Sequence, residues 1–178
     1  TRRIAGIVRS LLDFATDDRE GEPKCDVNSV VSETTRLIRS SLDSAGGVEI
    51  DAVESGRLPT VAIGRDELRQ VLINLLINSI QAVSDGGRVT VSSEESDSGV
   101  ILRVADDGCG IPERHRRHIF DPFYTTKPNG RGTGLGLSVV YGIVTKYGGA
   151  VRVESREGEG TTVELALPKI AEEVLAHG

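Results

Sequence analysis

Residues 104–111 read Val-Ala-Asp-Asp-Gly-Cys-Gly-Ile, and residues 132–137 read Gly-Thr-Gly-Leu-Gly-Leu. Each glycine cluster adjoins a hydrophobic run, so each marks a place where the backbone turns sharply or closely approaches another group. Glycine permits both because it lacks a Cβ atom and tolerates positive φ. Between the clusters, residues 120–123 read Phe-Asp-Pro-Phe and residues 124–127 read Tyr-Thr-Thr-Lys. These segments predict that the chain binds a ligand close to its backbone, and the rest of the sequence indicates which fold holds them.

The composition of the 178 residues narrows the class of protein and of partner. A chain of this length supports one domain with a substantial core. The net charge of −6 gives no support for binding nucleic acid or an anionic membrane, so we expect neither contact. Cys25 and Cys109 match no metal-binding spacing and cannot form a disulfide framework. Without a secretory signal or an apolar membrane span, we expect a cytoplasmic domain whose parent is either soluble or membrane-anchored.

Hydrophobic spacing predicts helices and a strand in the first half of the chain. An amphipathic stripe covers residues 1–15, and a polar linker follows it. Asp26 is placed to cap a second helix. The apolar residues expected to form the buried face of that helix are Val27, Val30, Val31, Leu37, Ile38 and Leu42. A strand is predicted at 48–52, and Asp66 is the predicted N-cap of a helix over 67–83.

The second half of the chain alternates between predicted hairpins and helices. Strands at 89–93 and 100–104 form a hairpin that ends at the first glycine cluster. A short helix begins at Pro112 and an irregular loop follows it, and a helix over 135–147 ends at Gly148. A last hairpin covers 151–167. The sum is a two-layer α/β sandwich with a mixed, mostly antiparallel sheet and helices on one face.

Two asparagines lie one turn apart on the predicted helix over 67–83. Asn74 and Asn78 share a line with Gln70, and leucines occupy the opposite side. An exposed polar stripe is the ordinary explanation. However, asparagine is a poor helix former, and a neutral amide oxygen can bind Mg²⁺ without adding negative charge beside phosphates. The pair is therefore a candidate metal and phosphate site.

Asp106 comes at the end of a hydrophobic strand, directly before the first glycine cluster. An Asp-Asp-Gly turn is common and needs no ligand. A carboxylate fixed at a strand end can also accept a hydrogen bond from an exocyclic amino group such as that of adenine. In that case the glycines Gly108 and Gly110 would let the base lie against the backbone.

The second glycine cluster, at 132–137, opens a predicted helix. Unpaired N–H groups and the helix dipole make such a start suitable for phosphate. No Gly-Lys-Ser/Thr follows, so this is not a P-loop, and the pattern does not follow a parallel strand as in a Rossmann site. Lys127 and Arg131 on the preceding loop are able to contact the same anion. Two cations on an ordinary solvent-exposed loop would give the same sequence.

In this order the motifs resemble the catalytic ATP-binding domain of bacterial sensor histidine kinases, within the group that includes gyrase B, Hsp90 and MutL. Residues 71–78 resemble the N box, 106–110 the G1 box, 120–123 the F box and 132–137 the G2 box. The resemblance implies a Bergerat-type fold, ATP and Mg²⁺ as ligands, and Asn78 as the metal ligand. The nucleotide-binding positions that it implies are Asn74, Asn78, Asp106, Gly108, Gly110, Thr125, Thr126, Lys127, Arg131, Gly132, Thr133, Gly134, Leu135, Gly136 and Leu137.

The same resemblance implies a division of the chain and a set of partners. Residues 1–16 correspond to the end of a dimerisation helix, 17–25 to a linker, 26–168 to the catalytic domain and 169–178 to a tail. The implied partners are the histidine-bearing dimerisation domain of the same kinase and the receiver domain of a response regulator. A homodimer is expected only in the full-length kinase.

One departure from the family pattern concerns the phosphoacceptor histidine. The family's His-acidic motif is absent, and none of His115, His118 and His177 has its context. No residue is therefore assigned a catalytic acid or base role, and we expect the acceptor histidine to lie outside this sequence. Two alternatives stay open, an ATP-driven conformational clamp and a regulatory module that binds nucleotide without transferring phosphate.

Overall fold

The fold is known from a computed structural model, which describes residues 24–42, 47–126 and 133–170. Its described helices are α1 (Val27–Leu42), α2 (Arg65–Ala82), α3 (Glu113–Arg116) and α4 (Gly136–Lys146). Its described strands are β1 (Glu49–Glu54), β2 (Arg88–Ser96), β3 (Gly99–Asp106), β4 (Ala150–Arg156) and β5 (Gly160–Pro168). The strands form one sheet in the order β1-β2-β3-β5-β4.

The sheet is mixed and mostly antiparallel, as the sequence predicts. β1 pairs in parallel with β2, whereas β2 with β3, β3 with β5, and β4 with β5 pair antiparallel. β2–β3 and β4–β5 are the two predicted hairpins. The pairing of β3 with β5 brings the end of β3 beside the start of β5, although more than fifty residues separate them in sequence.

One face of the sheet is covered by helices, which completes the predicted two-layer sandwich. On β3, Val100, Leu102 and Val104 alternate with more exposed residues and are fully buried. They share the core with a buried stripe of α2, and α2 in turn contacts both α1 and α4. α2 is therefore the central helix of its layer, between α1 on one side and α4 on the other.

The predicted cap of α1 is confirmed, and that of α2 is wrong. The backbone N–H of Ser29 donates to Asp26 Oδ1 at 3.3 Å. At α2, however, Gly64 occupies the N-cap position and no side chain caps the helix. Asp66 lies inside the first turn, where its carboxylate accepts a hydrogen bond from Arg69 at 2.7 Å. The helix begins one residue before Asp66 because Gly64 is already extended, and Asp66 stabilises the positive end of the helix dipole instead.

The prediction that Leu37 is buried is also wrong, since its side chain is 42% exposed. The buried stripe of α1 runs through Val27, Val30, Val31, Thr34, Thr35 and Ile38. This spacing follows the helical repeat, and Leu37 falls outside it. Two threonines, Thr34 and Thr35, thus occupy core positions that the hydrophobicity pattern did not include.

Some predicted segments lie outside the described residues. They are the amphipathic stripe at 1–15, most of the linker, the loop at 127–132 and the tail from 171 onward. In the part of the chain that the structure describes, the helices lack the length and hydropathy of a membrane span.

Candidate functional site

Asp106 is the last residue of β3 and faces the helices. It has the same parity as the buried Val104, so its side chain points into the layer between the sheet and α2. The strand register places it directly across from Thr161 of β5, and Thr161 lies across from Ser155 of β4. The three polar side chains form a row at the end of a hydrophobic sheet face. On β3 and β5 the buried side chains beyond this row are aliphatic, namely Val100, Leu102, Val104, Val163, Leu165 and Leu167.

Hydroxyl groups fix the geometry of this row. Ser155 Oγ donates to the carbonyl of Gly160 at 2.9 Å and lies 2.9 Å from Thr161 Oγ1. It also accepts a hydrogen bond from the backbone N–H of Ile111 at 2.8 Å. This last bond attaches the glycine loop to β4, so the loop and the three strand ends form one rigid wall.

The charge state of Asp106 results from opposing influences. Burial raises the pKa of its carboxyl, and the neighbouring Asp107 raises it further. Hydrogen bonds from the Ser79 hydroxyl and from the backbone N–H groups of Gly108 and Thr161 lower this pKa and oppose the shift. The N–H of Gly108 donates to Oδ1 at 3.0 Å. The result is a partly buried carboxylate that accepts a hydrogen bond from the glycine loop.

The packing of the chain itself requires the glycines that follow Asp106. A Cβ at Gly108 would lie 2.6 Å from the carbonyl carbon and oxygen of Ala82, and one at Gly110 would overlap the carbonyl of Arg156. Gly110 also has a φ of +65°, which disfavours other residues. At both glycines the Cβ position is thus occupied by this chain's own backbone. The glycine loop at 108–110 packs between the end of α2 and the β4–β5 turn.

The predicted asparagine line faces the start of α4. Asn74 and Asn78 are both half-buried on α2. A Cβ at Gly136, the first residue of α4, would lie 3.2 Å from Asn78 Nδ2 and 3.8 Å from Asn74 Oδ1. Because Gly136 has no side chain, the start of α4 packs close to both amides. Neutral amide oxygens beside the backbone N–H groups of a helix start are suited to Mg²⁺ bound with phosphate.

The base of the 124–133 segment is closed by a backbone hydrogen bond. Phe123 N–H donates to the carbonyl of Gly134 at 2.9 Å. Both residues have a φ of +67°, and a Cβ at Gly134 would overlap the backbone of Phe123. Thr133 Oγ1 accepts a hydrogen bond from the Leu135 N–H at 3.4 Å. Leu137, one turn further, packs against the core.

Tyr124 is packed by two histidines, whereas Phe123 is 74% exposed. The Tyr124 hydroxyl is hydrogen-bonded to His115 Nδ1, and its ring centroid lies 5.4 Å from that of His118. His118 Nδ1 contacts Asp121 Oδ2 at 2.8 Å. These histidines belong to the base of the loop, and no group of three or more His, Cys, Asp or Glu side chains in the described ranges could hold a metal ion.

The remaining predicted positions flank this closed base. Thr125 and Thr126 are exposed at the end of the described segment, and Lys127, Arg131 and Gly132 lie outside the described residues. Three residues near Asp106 were not predicted from sequence: Ser79, Thr161 and Arg116, which lines an open groove together with Asp106. Of these three residues, only Ser79 could have been found from the sequence, because a polar residue at a position of the apolar stripe of α2 is unusual.

Comparison with known proteins connects this geometry to a family. The family described as histidine kinase-, DNA gyrase B- and HSP90-like ATPase matches residues 64–171. The sensor histidine kinase ZraS of Escherichia coli strain K12 is 36% identical over 166 residues, which is 93% of this chain and 35% of ZraS. The chain thus spans about a third of the length of that curated relative.

Solved structures give the same result. The catalytic domain of histidine kinase ThkA matches with a TM-score of 0.72 and 31% identity over 82% of this chain and 94% of that domain. ThkA in complex with response regulator protein TrrA matches with a TM-score of 0.71 and 27% identity, over 97% of this chain and 49% of ThkA. Full-length ShkA in complex with AMPPNP matches with a TM-score of 0.73 and 27% identity, over 94% of this chain and 36% of ShkA. The chain belongs to the histidine kinase-, DNA gyrase B- and HSP90-like ATPase family, and within it to the catalytic ATP-binding domains of histidine kinases.

Proposed function

We propose that this domain binds ATP with Mg²⁺ and donates the γ-phosphoryl group to a histidine on a dimerisation segment outside the present sequence. The observation that carries the proposal is the placement of two unlike polar groups on different sides of one helix. Asn74 and Asn78 of α2 face the start of α4. The Asp106 carboxylate lies on the sheet side, where the glycine loop that follows it contacts Ala82 of α2. A nucleotide has the same polarity, with phosphates at one end and a base at the other.

At the base end, Asp106 selects adenine. An ionised carboxylate only accepts hydrogen bonds, so it pairs with the exocyclic amino group of adenine and meets an oxygen in guanine. The surrounding strand ends, including Thr161 and Val153, form the wall against which the base lies. ATP is therefore preferred over GTP.

At the phosphate end, Asn78 holds Mg²⁺ and Asn74 supports the same site. The bound ion neutralises phosphate charge and fixes the phosphate geometry. The backbone of Gly132, Thr133, Gly134, Leu135, Gly136 and Leu137 surrounds the phosphates at the start of α4. Thr125, Thr126, Lys127 and Arg131 form the lid, with the two cations contacting the anion.

The resemblance and the comparisons support the wider assignment. ThkA has been solved with response regulator TrrA, and ShkA with AMPPNP. By analogy, we assign the receiver domain of a response regulator as the final acceptor in a phosphorelay, in the cytoplasm. Residues 26–168 form the catalytic unit, preceded by a linker at 17–25 and the end of a dimerisation helix at 1–16. Dimerisation belongs to the full-length kinase.

Incubation with γ-labelled ATP tests this function. Residues 1–178 alone are expected to bind ATP without labelling themselves, since no acceptor motif is present. The full-length parent protein is expected to become labelled at a histidine outside this segment, with a phosphoramidate that is acid-labile and base-stable. Lys127→Ala is expected to slow labelling more than it weakens adenosine binding.

The control for this assay is Arg117→Ala, which removes an exposed cation from the turn after α3. Strong self-labelling of residues 1–178 would contradict the assignment and direct attention to His115 and His118. ATP turnover without any phosphoprotein, even in the parent chain, would favour the conformational clamp.

A further inference from the structure

We propose that Glu67 and Tyr147 form a positioning pair, whose hydrogen bond sets the place of the start of α4 against the two asparagines of α2. The pair lies at the opposite end of both helices from those asparagines. The inference rests on the proposed function, because the effect of the pair is read through the affinity for ATP with Mg²⁺.

A hydrogen bond connects the start of α2 with the end of α4. Tyr147 is the C-cap residue of α4, and its hydroxyl donates to Glu67 Oε1 at 2.6 Å. Glu67 lies in the first turn of α2. This hydrogen bond raises the pKa of the Tyr147 hydroxyl, so the phenol remains protonated and keeps donating. The Tyr147 side chain packs against the core, so the donor is held in place.

A second contact of Glu67 is weaker. Lys146 Nζ lies 3.8 Å from Glu67 Oε1 and 4.9 Å from the centroid of the Tyr147 ring. The Lys146 side chain is exposed, and exposed ion pairs contribute little. The hydrogen bond is therefore the contact that we expect to hold the two helices together at this end.

The N-cap glycine of α2 makes room for the Glu67 carboxylate. A Cβ at Gly64 would overlap Oε2 of Glu67 and lie 2.9 Å from its Cδ. Gly64 has a φ of −65° and a ψ of 146°, which other residues adopt readily, so its backbone conformation does not require glycine. A side chain at Gly64 would displace the carboxylate without altering either partner of the hydrogen bond.

Equal spacing along the two helices connects this pair to the asparagines. Glu67 and Asn78 are eleven positions apart, and so are Gly136 and Tyr147. Eleven residues of an α-helix make about three turns and rise about 16 Å. The helices run antiparallel, since α4 starts beside Asn78 and ends beside Glu67. Contact at one end therefore requires the same alignment of the helices as contact at the other.

The apolar contacts between these two ends fix the alignment less sharply. Val140 and Val144 are the buried residues of α4 and belong to the core that α2 shares. Hydrophobic burial is non-directional and depends on area, so a small slide of one helix changes it little. A hydrogen bond has a narrow range of distance and angle. Mg²⁺ in turn requires near-ideal octahedral geometry, so a small slide of α4 should weaken its site.

Titration calorimetry of ATP in MgCl₂ and in EDTA tests the pair, and the readout is the ratio of the two affinities. In Tyr147→Phe, which keeps the ring, this ratio is expected to fall about fivefold, because the pair transmits no more than the free energy of one hydrogen bond. The affinity in EDTA should stay within about twofold, since the base end lies away from the change. A merely structural role would lower both affinities together.

Three further variants separate the contact from its partners. Glu67→Ala and Gly64→Ala remove the same hydrogen bond by other routes, and both are expected to lower the ratio to a similar extent. Glu67→Gln keeps an acceptor for the Tyr147 hydroxyl and should recover part of the ratio. Combining Glu67→Ala with Tyr147→Phe should lower the ratio no further than either change alone. Additive losses would contradict a shared contact.

The control is Tyr141→Phe, which removes a hydroxyl from an exposed position of α4 and keeps the ring that packs against Phe120. It is expected to leave the ratio unchanged, and thermal unfolding checks that each variant is folded. An unchanged ratio in Tyr147→Phe, or an equal loss in MgCl₂ and EDTA, overturns the inference while the proposed metal site stands. No effect of Mg²⁺ in the unmodified domain instead contradicts the proposed function, and the inference fails with it.

Discussion

Replacing Asn78 by alanine is expected to abolish the contribution of Mg²⁺ to ATP binding while the fold stays intact. Asn78 is half-buried and makes no side-chain hydrogen bond to the described residues, so its loss removes little structural support. α2 is held instead by buried apolar residues such as Leu72, Leu75 and Leu76. Losing a group that supports a metal ligand typically costs about 10–100-fold in metal affinity, and a ligand itself should cost at least as much.

Calorimetric titrations of ATP with MgCl₂ and with EDTA measure this effect. The unmodified domain should bind ATP much more tightly in MgCl₂, and Asn78→Ala should bind equally weakly in both. Gln70→Ala is the matched control, because Gln70 lies two turns earlier on the same line of α2. An Asn78→Ala domain that keeps its full response to Mg²⁺ would remove Asn78 from the metal site.

Asp106→Asn is expected to remove the preference for ATP over GTP. The amide replaces an acceptor-only group with one that also donates, so it can face the guanine oxygen. ATP affinity should fall by roughly 10–100-fold, the value of a hydrogen bond to a charged group, while GTP affinity should rise or hold. Competition between the two nucleotides measures the ratio. Asp107→Asn serves as the control, since the side chain of Asp107 is exposed and faces Arg88.

The same carboxylate makes ATP binding sensitive to acid. Burial raises the pKa of Asp106, so its proton is bound at a higher pH than by an exposed aspartate. ATP requires the ionised form, so ATP affinity should be constant above this raised pKa and fall as pH decreases through it. In Asp106→Asn the acid-side loss should disappear. If Asp106→Asn still prefers ATP, and its ATP affinity still falls at low pH as in the unmodified domain, Asp106 is not the residue that selects adenine.

Local patterns predicted most of the fold. The alternation of valines predicted the strands, and the i, i+4 spacing of Asn74 and Asn78 predicted one polar line on α2, which faces Gly136 in the structure. The predictions for Asp66 and Leu37 were wrong because neighbouring residues fit the same structural role better. Gly64 was already extended, so it displaced Asp66 as the cap of α2. Leu37 lies off the buried stripe of α1, because Thr34 and Thr35 continue that stripe.

The base end of the site depends on long-range geometry that a linear sequence does not show. Thr161 reaches Asp106 only through the register of β3 with β5. Arg116 approaches the same groove from a separate short helix. Gly108 and Gly110 were correctly singled out, but the group that approaches them is the backbone of Ala82 and Arg156. The sequence therefore predicted that the backbone is closely approached at these glycines, but it did not identify the groups that approach them.

Amide NMR titration of residues 1–178 with ATP and Mg²⁺ tests the position of the nucleotide most directly. The largest shift changes are expected at Ser79 and Thr161, which surround Asp106, and at Gly136 beside the asparagines. Leu37 on α1 and Ile101 on the open face of the sheet should change little, because both lie away from the proposed site. Saturable changes confined to the first group are the predicted result. Changes centred on α1 or on the open sheet face, or no saturable change, would contradict a nucleotide bound between α2 and α4.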